Sequence, residues 1–136
     1  MTSSAAIFDS SIFIDLFRHG RHLERMESFV GLIRTSAVVL AELQRGATNE
    51  QEREVLHNLR KNHPVWVPTE GNWLESADIL RRMRKDYGFT VAKLRDLHFD
   101  VLIALTARSF GARLITANAT DFERIKRYRS FNLELW

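Results

Sequence analysis

The sequence has no cysteine. That excludes disulfides, thiolate zinc sites and cysteine nucleophiles, and it suits a reducing compartment, so the cytoplasm is the expected location. No stretch approaches the roughly 18–20 uninterrupted apolar residues of a membrane span, and no membrane is expected among its partners. The first residues lack the basic-then-apolar order of a secretory signal. A Gly-rich phosphate loop and a G-x-S-x-G nucleophile elbow are both missing. The histidines (His19, His22, His57, His63 and His98) are scattered without metal-ligand spacing and read as surface or structural residues.

What is present fits one domain spanning residues 1–136, with no repeat, low-complexity tract or linker. Hydrophobic residues make up 45%, including nine Phe and three Trp, enough for a packed interior. Lys and Arg number 20 against 17 Asp and Glu, a formal charge of +3. The excess is small but unevenly spread. Basic runs stand at "RRMRKDYG" (Arg81, Arg82, Arg84 and Lys85), at "KLR" (Lys93 and Arg95) and at "RIKRYR" (Arg124 to Arg129). Such runs are most often solvated helix faces; the other reading is a footprint for nucleic-acid phosphate.

"AAIF" (Ala5–Phe8) reads as a buried strand. Asp9, Ser10 and Ser11 are helix-capping types, and "IFIDLF" continues at helical spacing. A second helix is expected from Arg21 to about Phe29. "LIRTSAVVLAELQRG" repeats the arrangement: a strand near Leu32–Thr35, a capping Ser36, and a short helix stopped by Gly46. A helix from about Asn49 to Lys61, a strand at Val65–Pro68 and a long helix from Thr69–Glu70 to Tyr87 follow. After a polar connector come a helix over Asp96–Gly111, a strand at Arg113–Ala117, a short helix in "TDFERIKRY" and a final strand in "FNLELW". Alternating strands and helices predict an α/β fold with a central parallel sheet and helices on both faces.

Open parallel sheets bind ligands outside the carboxyl ends of their strands. Four acids are candidates for that edge. Asp9 follows the first strand, Glu42 lies on the short helix after the second, Asp100 lies near the start of the Asp96–Gly111 helix, and Asp121 follows "RLITA". Each has a plainer explanation. Asp9 and Asp121 could only cap helices, Glu42 could be solvated, and Asp100 could answer a helix dipole. Asp15 is most simply a solvated or helix-pairing residue. Together the four would repel one another, so that some take up a proton or a cation binds. Hard divalent cations prefer carboxylate and water oxygens. The chemistry these residue types support best is metal-assisted hydrolysis.

At these residues the chain resembles the PIN-domain nucleases, and within them the VapC-type toxins of toxin–antitoxin pairs. "IFDSSIFIDLF", "SAVVLAELQRG" and "FDVLIALTARSFGARLITANATDF" match the family's motifs in order, over nearly the whole chain. The resemblance implies a three-layer α/β/α sandwich and an endoribonuclease with an acidic Mg²⁺ or Mn²⁺ site. By match, Asp9, Glu42 and Asp100 are the first three acids. Asn118 stands where some members carry the fourth, so Asp121 is expected to take that role. Ser11 matches a small hydroxyl residue that orients the first acid or a water. Thr116 and Asn118 would line the rim, with Asp96, one turn before Asp100, behind them or acting as a helix cap. Arg81, Arg82, Arg84, Lys85, Lys93 and Arg95 would guide RNA, whether tRNA, rRNA or mRNA. The family also implies a VapB-type antitoxin and a homodimer. Rival readings are a phospho-accepting receiver domain, against which "LITANATDF" offers no Lys, and a non-catalytic RNA-binding protein that merely keeps the fold.

Overall fold

The computed structural model describes residues 5–136. The elements run β1 (Ala5–Phe8), α1 (Ser10–His19), α2 (Leu23–Glu27), β2 (Leu32–Ser36), α3 (Ala37–Gly46), α4 (Glu50–Asn62), β3 (Val65–Trp66), α5 (Glu70–Tyr87), α6 (Val91–Ser109), β4 (Arg113–Thr116), α7 (Ala119–Lys126) and β5 (Asn132–Leu135). The strands form a parallel five-stranded sheet in the order β3-β2-β1-β4-β5. β1 therefore sits at the centre, with a strand along each edge and helices over both faces, which is why Ala5 to Phe8 carry no polar side chain. The chain moves outward from β1 to β2 and β3, then crosses back to β4 and β5. Right-handed crossovers put α1–α4 on one face and α5–α7 on the other, giving the α/β/α sandwich. Reversal of the strand order makes β1 and β4 the switch point, and the crevice outside their carboxyl ends is where such sheets take ligands.

The core joins Ile7 and Phe8 of β1 to Ile12, Leu43, Ile79, Met83, Leu102, Leu114, Ile115, Phe122 and Ile125, all buried. Fully burying one such side chain stabilises the fold by about 1.5–3 kcal/mol. Every residue of α6 from Val101 to Ala107 is buried, so this helix is packed on all sides over that length, and its one polar side chain there, Thr106, donates to Leu102 O at 2.7 Å.

Several boundaries differ from the expected ones, each for a local reason. α6 begins at Val91, with the Thr90 hydroxyl accepting from Lys93 N at 3.2 Å, and not at Asp96. Asp96 is thus an exposed residue inside the helix and caps nothing, and Asp100 lies beyond the reach of the N-terminal dipole. α2 is shorter than Arg21–Phe29 because Gly20 (φ 63) and His22 (φ 69) both turn left-handed before it. Gly46 is the last helical residue of α3 and the extended Ala47 follows, so no left-handed glycine stop operates there. β3 pairs only at Val65 and Trp66.

Candidate metal centre

Asp9 lies immediately beyond β1, and its amide still donates to Ile115 O of β4 at 2.8 Å. It is only 2% exposed. A carboxylate so deeply buried needs donors, and they come from both sides. Ser11 Oγ donates to Asp9 Oδ2 at 2.7 Å, Thr116 Oγ1 donates to the same oxygen at 2.9 Å, and Ser11 N donates to it at 3.4 Å. Each hydroxyl can donate to Asp9 and accepts a backbone amide, and the two hydroxyls lie 3.1 Å from each other. Ala117 N donates to Ser11 Oγ at 3.0 Å, and Asn118 N to Thr116 Oγ1 at 2.9 Å. Asp9 is also the N-cap of α1 through the Ser11 amide, so the capping and site readings of this residue hold together. Among the described residues its other oxygen, Oδ1, has only the Ser10 hydroxyl at 3.5 Å and is the atom left for a further ligand.

Glu42 reaches the same place from α3. That helix starts at Ser36, whose hydroxyl accepts from Val38 N at 3.1 Å. Buried Val38, Val39 and Leu43 fix the helix face and turn Glu42 toward Asp9. Ser10 Oγ lies 3.3 Å from Glu42 Oε1 as well as 3.5 Å from Asp9 Oδ1. Asp100 arrives from α6, one residue before the buried block, which draws its carboxyl inward. Asp9, Glu42 and Asp100 each offer one carboxylate oxygen within 4.8 Å of the others.

The electrostatics follow from burial and crowding. Burial, then the charge of Asp9, raises Glu42 from 4.5 to about 7, opposed by the Ser10 hydrogen bond and by Arg45. Burial, then Asp9, Glu42 and Asp121, raises Asp100 from 3.8 to about 8, opposed by Lys93. Such a set holds protons near neutral pH or exchanges them for a cation. With carboxylate oxygens as its donors, the cluster fits a hard divalent ion such as Mg²⁺ or Mn²⁺.

Asp121 stands apart from these three. Its carboxylate takes Lys93 Nζ at 3.1 Å on Oδ1 and 3.3 Å on Oδ2, with Asn118 Nδ2 on Oδ2 at 3.2 Å. Asn118 caps α7, accepting from Asp121 N at 3.5 Å, so Asp121 is not the cap of its own helix. Lys93, expected only to guide a substrate backbone, therefore stands at the edge of the acid cluster with Asp121, near enough to oppose the upward shift of Asp100. Its contact with Asp121 spans 28 positions and left no sequence signal beyond two opposite charges. Ser10, read only as a cap, bridges two of the acids.

The remaining basic residues divide. Arg81 pairs with Asp78 at 2.7 Å and Arg82 lies 4.9 Å from the Tyr128 ring. Arg84, Lys85 and Arg95 are exposed. Asp15 pairs with His22 at 3.1 Å, on the far part of α1 from the acids. No helix among the described residues is long and apolar enough to cross a membrane.

The fold has close counterparts among solved structures. A DNA-bound VapBC from Salmonella typhimurium is 21% identical, with 100% of this chain and 99% of that one aligned at a TM-score of 0.72. VapBC-1 of nontypeable Haemophilus influenzae is 26% identical, over 97% and 98%, with a TM-score of 0.70. VapBC2 of Rickettsia felis, bound to a promoter DNA fragment, is 23% identical over 97% and 98%, also at 0.70. No curated protein sequence matches the chain. The PIN domain family profile matches residues 6–128, and with the acids seated at the switch point of the sheet, the chain belongs to the PIN-domain family.

Proposed function

We propose that the protein is a divalent-metal-dependent endoribonuclease and the toxin of a toxin–antitoxin pair. The observation that carries this reading is the convergence of Asp9, Glu42 and Asp100 within 4.8 Å at the switch point of the sheet. Structural neighbours that are VapBC complexes support the toxin assignment and a VapB-type antitoxin as partner.

In this reading Asp9, Glu42 and Asp100 would hold Mg²⁺ or Mn²⁺. When bound, the cation supplies a water that ionises near neutral pH and offsets charge on the phosphoryl oxygens. Ser11 and Thr116 hold the Asp9 carboxylate in one orientation, and Ser10 holds Glu42 beside it. Glu42 and Asp100, which burial and crowding hold toward the protonated form, would have to release their protons to solvent to act as ligands. Asn118 and Asp121 form the rim, with Asp96 outside it. Arg81, Arg82, Arg84, Lys85 and Arg95 draw the RNA backbone toward the crevice, since each neutralised phosphate releases condensed counterions. Water is the nucleophile, so no covalent enzyme intermediate forms. The protein acts in the cytoplasm, as a homodimer, until the antitoxin covers the crevice.

Incubation of the purified protein with mixed RNA tests the reading. Cleavage is expected with Mg²⁺ or Mn²⁺ and not with chelator. Asp9→Asn and Asp100→Asn are expected to lose it while keeping the far-ultraviolet circular dichroism of the parent. Full activity in either folded variant would sink the assignment. Mapping of 5′ ends after induced expression would identify the RNA.

A further inference from the structure

The Lys93–Asp121 pair bears on how many cations the site holds. Lys93 Nζ reaches both oxygens of Asp121, at 3.1 and 3.3 Å, and Asn118 Nδ2 occupies one of them as well. The pair is sheltered, with side-chain exposures of 34% for Lys93 and 18% for Asp121, so solvent screens it less than a surface ion pair. Lys93 is also fixed at its root. Its amide is held by the Thr90 cap at 3.2 Å, and its ammonium lies 5.9 Å from the Phe89 ring. The contrast with Asp9 is direct. Among the described residues, Oδ1 of Asp9 keeps only a 3.5 Å hydroxyl contact, whereas both oxygens of Asp121 already face a full positive charge.

We infer that Lys93 occupies the place of a second cation, so that the site binds one divalent ion, at Asp9, Glu42 and Asp100, and Asp121 is neutralised from within the chain. This rests on the metal-dependent reading above. Charge accounting supports it. A divalent ion against three carboxylates leaves the cluster with one net negative charge, and the Lys93–Asp121 pair adds none. Binding of a second ion at Asp121 would have to displace the ammonium. Lys93 is thereby a positioning residue: it acts on Asp121, and through it on the stoichiometry of the site.

Titration of the full-length protein with Mn²⁺, followed by calorimetry and by the Mn²⁺ electron paramagnetic resonance signal, tests this without reference to catalysis. The wild type is expected to bind one ion and Lys93→Met two. Lys93→Arg is expected to return to one, and Lys93→Met combined with Asp121→Asn also to one. Circular dichroism identifies variants that fail to fold, and Lys93→Gln replaces Lys93→Met in that event. Two ions in the wild type, or one ion in a folded Lys93→Met or Lys93→Gln, would overturn the inference and leave the metal-dependent reading standing. No binding by the wild type would overturn both.

Discussion

Thr116 Oγ1 donates to Asp9 Oδ2 at 2.9 Å, tying residues 107 apart in sequence across the seam between β1 and β4. The same hydroxyl accepts from Asn118 N, so its removal leaves the buried Asp9 carboxylate and a part-buried amide each short of a partner. Thr116→Val keeps the shape and deletes the oxygen. It is expected to cost about 1–3 kcal/mol in a urea unfolding curve, the usual penalty for stranding buried polar groups. Mn²⁺ affinity, measured by calorimetry, should fall with it, because Asp9 loses one of the donors that aim it.

Stability should depend on pH in a direction set by Glu42 and Asp100. Their ordinary values of 4.5 and 3.8 rise to about 7 and about 8 in the folded protein. Between those limits the native state holds protons that the unfolded chain has lost. Their contribution is therefore fully present at low pH and disappears as pH rises through the folded values. Scanning calorimetry of the metal-free protein should show Tm falling from about pH 5 to about pH 8.5 by this route. Mn²⁺ should flatten the profile, and Asp100→Asn should remove much of its slope. A metal-free profile that rises over that range would contradict the burial of these acids.

Ser10 opposes the upward push on Glu42 through its 3.3 Å contact. Ser10→Ala should move the Glu42 titration further upward, seen in the carbon-13 shift of its carboxyl. Divalent-ion binding should then require a higher pH. An unmoved Glu42 titration would mean that the hydroxyl serves Asp9 alone.

Thr90 starts α6, the helix that brings both Lys93 and Asp100 to the site. Loss of an N-cap hydroxyl costs about 1 kcal/mol, and Thr90→Ala should show that loss in chemical denaturation. If the helix instead began at Asp96, the substitution would be nearly silent, and Asp96→Ala would carry the penalty.

Arg84, Lys85 and Arg95 are exposed and hold no side-chain ion pair among the described residues, which leaves them available for phosphate. In an Asp9→Asn background, replacing each by Ala should weaken binding of single-stranded RNA. The dependence of log affinity on log salt should shrink by roughly 0.7 for each contact removed. Unchanged salt slopes would place the RNA path elsewhere.

Much of this architecture is readable from the chain because the physics is local. The apolar tetrad Ala5–Phe8, the capping Ser36 and the αL glycine at Gly88 each announce their element without help from distant residues. The three acids were legible for the same reason: each follows, or stands beside, an apolar segment that has to be buried. What was not legible is long-range or hidden by composition. Thr90 as a cap was masked because Lys93, Arg95 and Asp96 make the first turns of α6 look like a polar connector. The pairing of Lys93 with Asp121, and the second role of Ser10, depend on how α3, α6 and α7 meet at the sheet edge. No spacing in the sequence encodes that meeting.

The hydrogen bond from Asp9 N to Ile115 O extends the β1–β4 ladder to the acid itself. Asp9 is the closing rung of the sheet, and its orientation is inherited from strand register more than from loop conformation. Side chains alternate faces along a strand, so a slip of one residue between β1 and β4 would turn the carboxylate away from Thr116 and send Phe8 toward the crevice. The hydrophobic fit of Ala6, Ile7 and Phe8 is thus what times the acid to its partners: the interior that stabilises the fold also acts as the gauge block for the site.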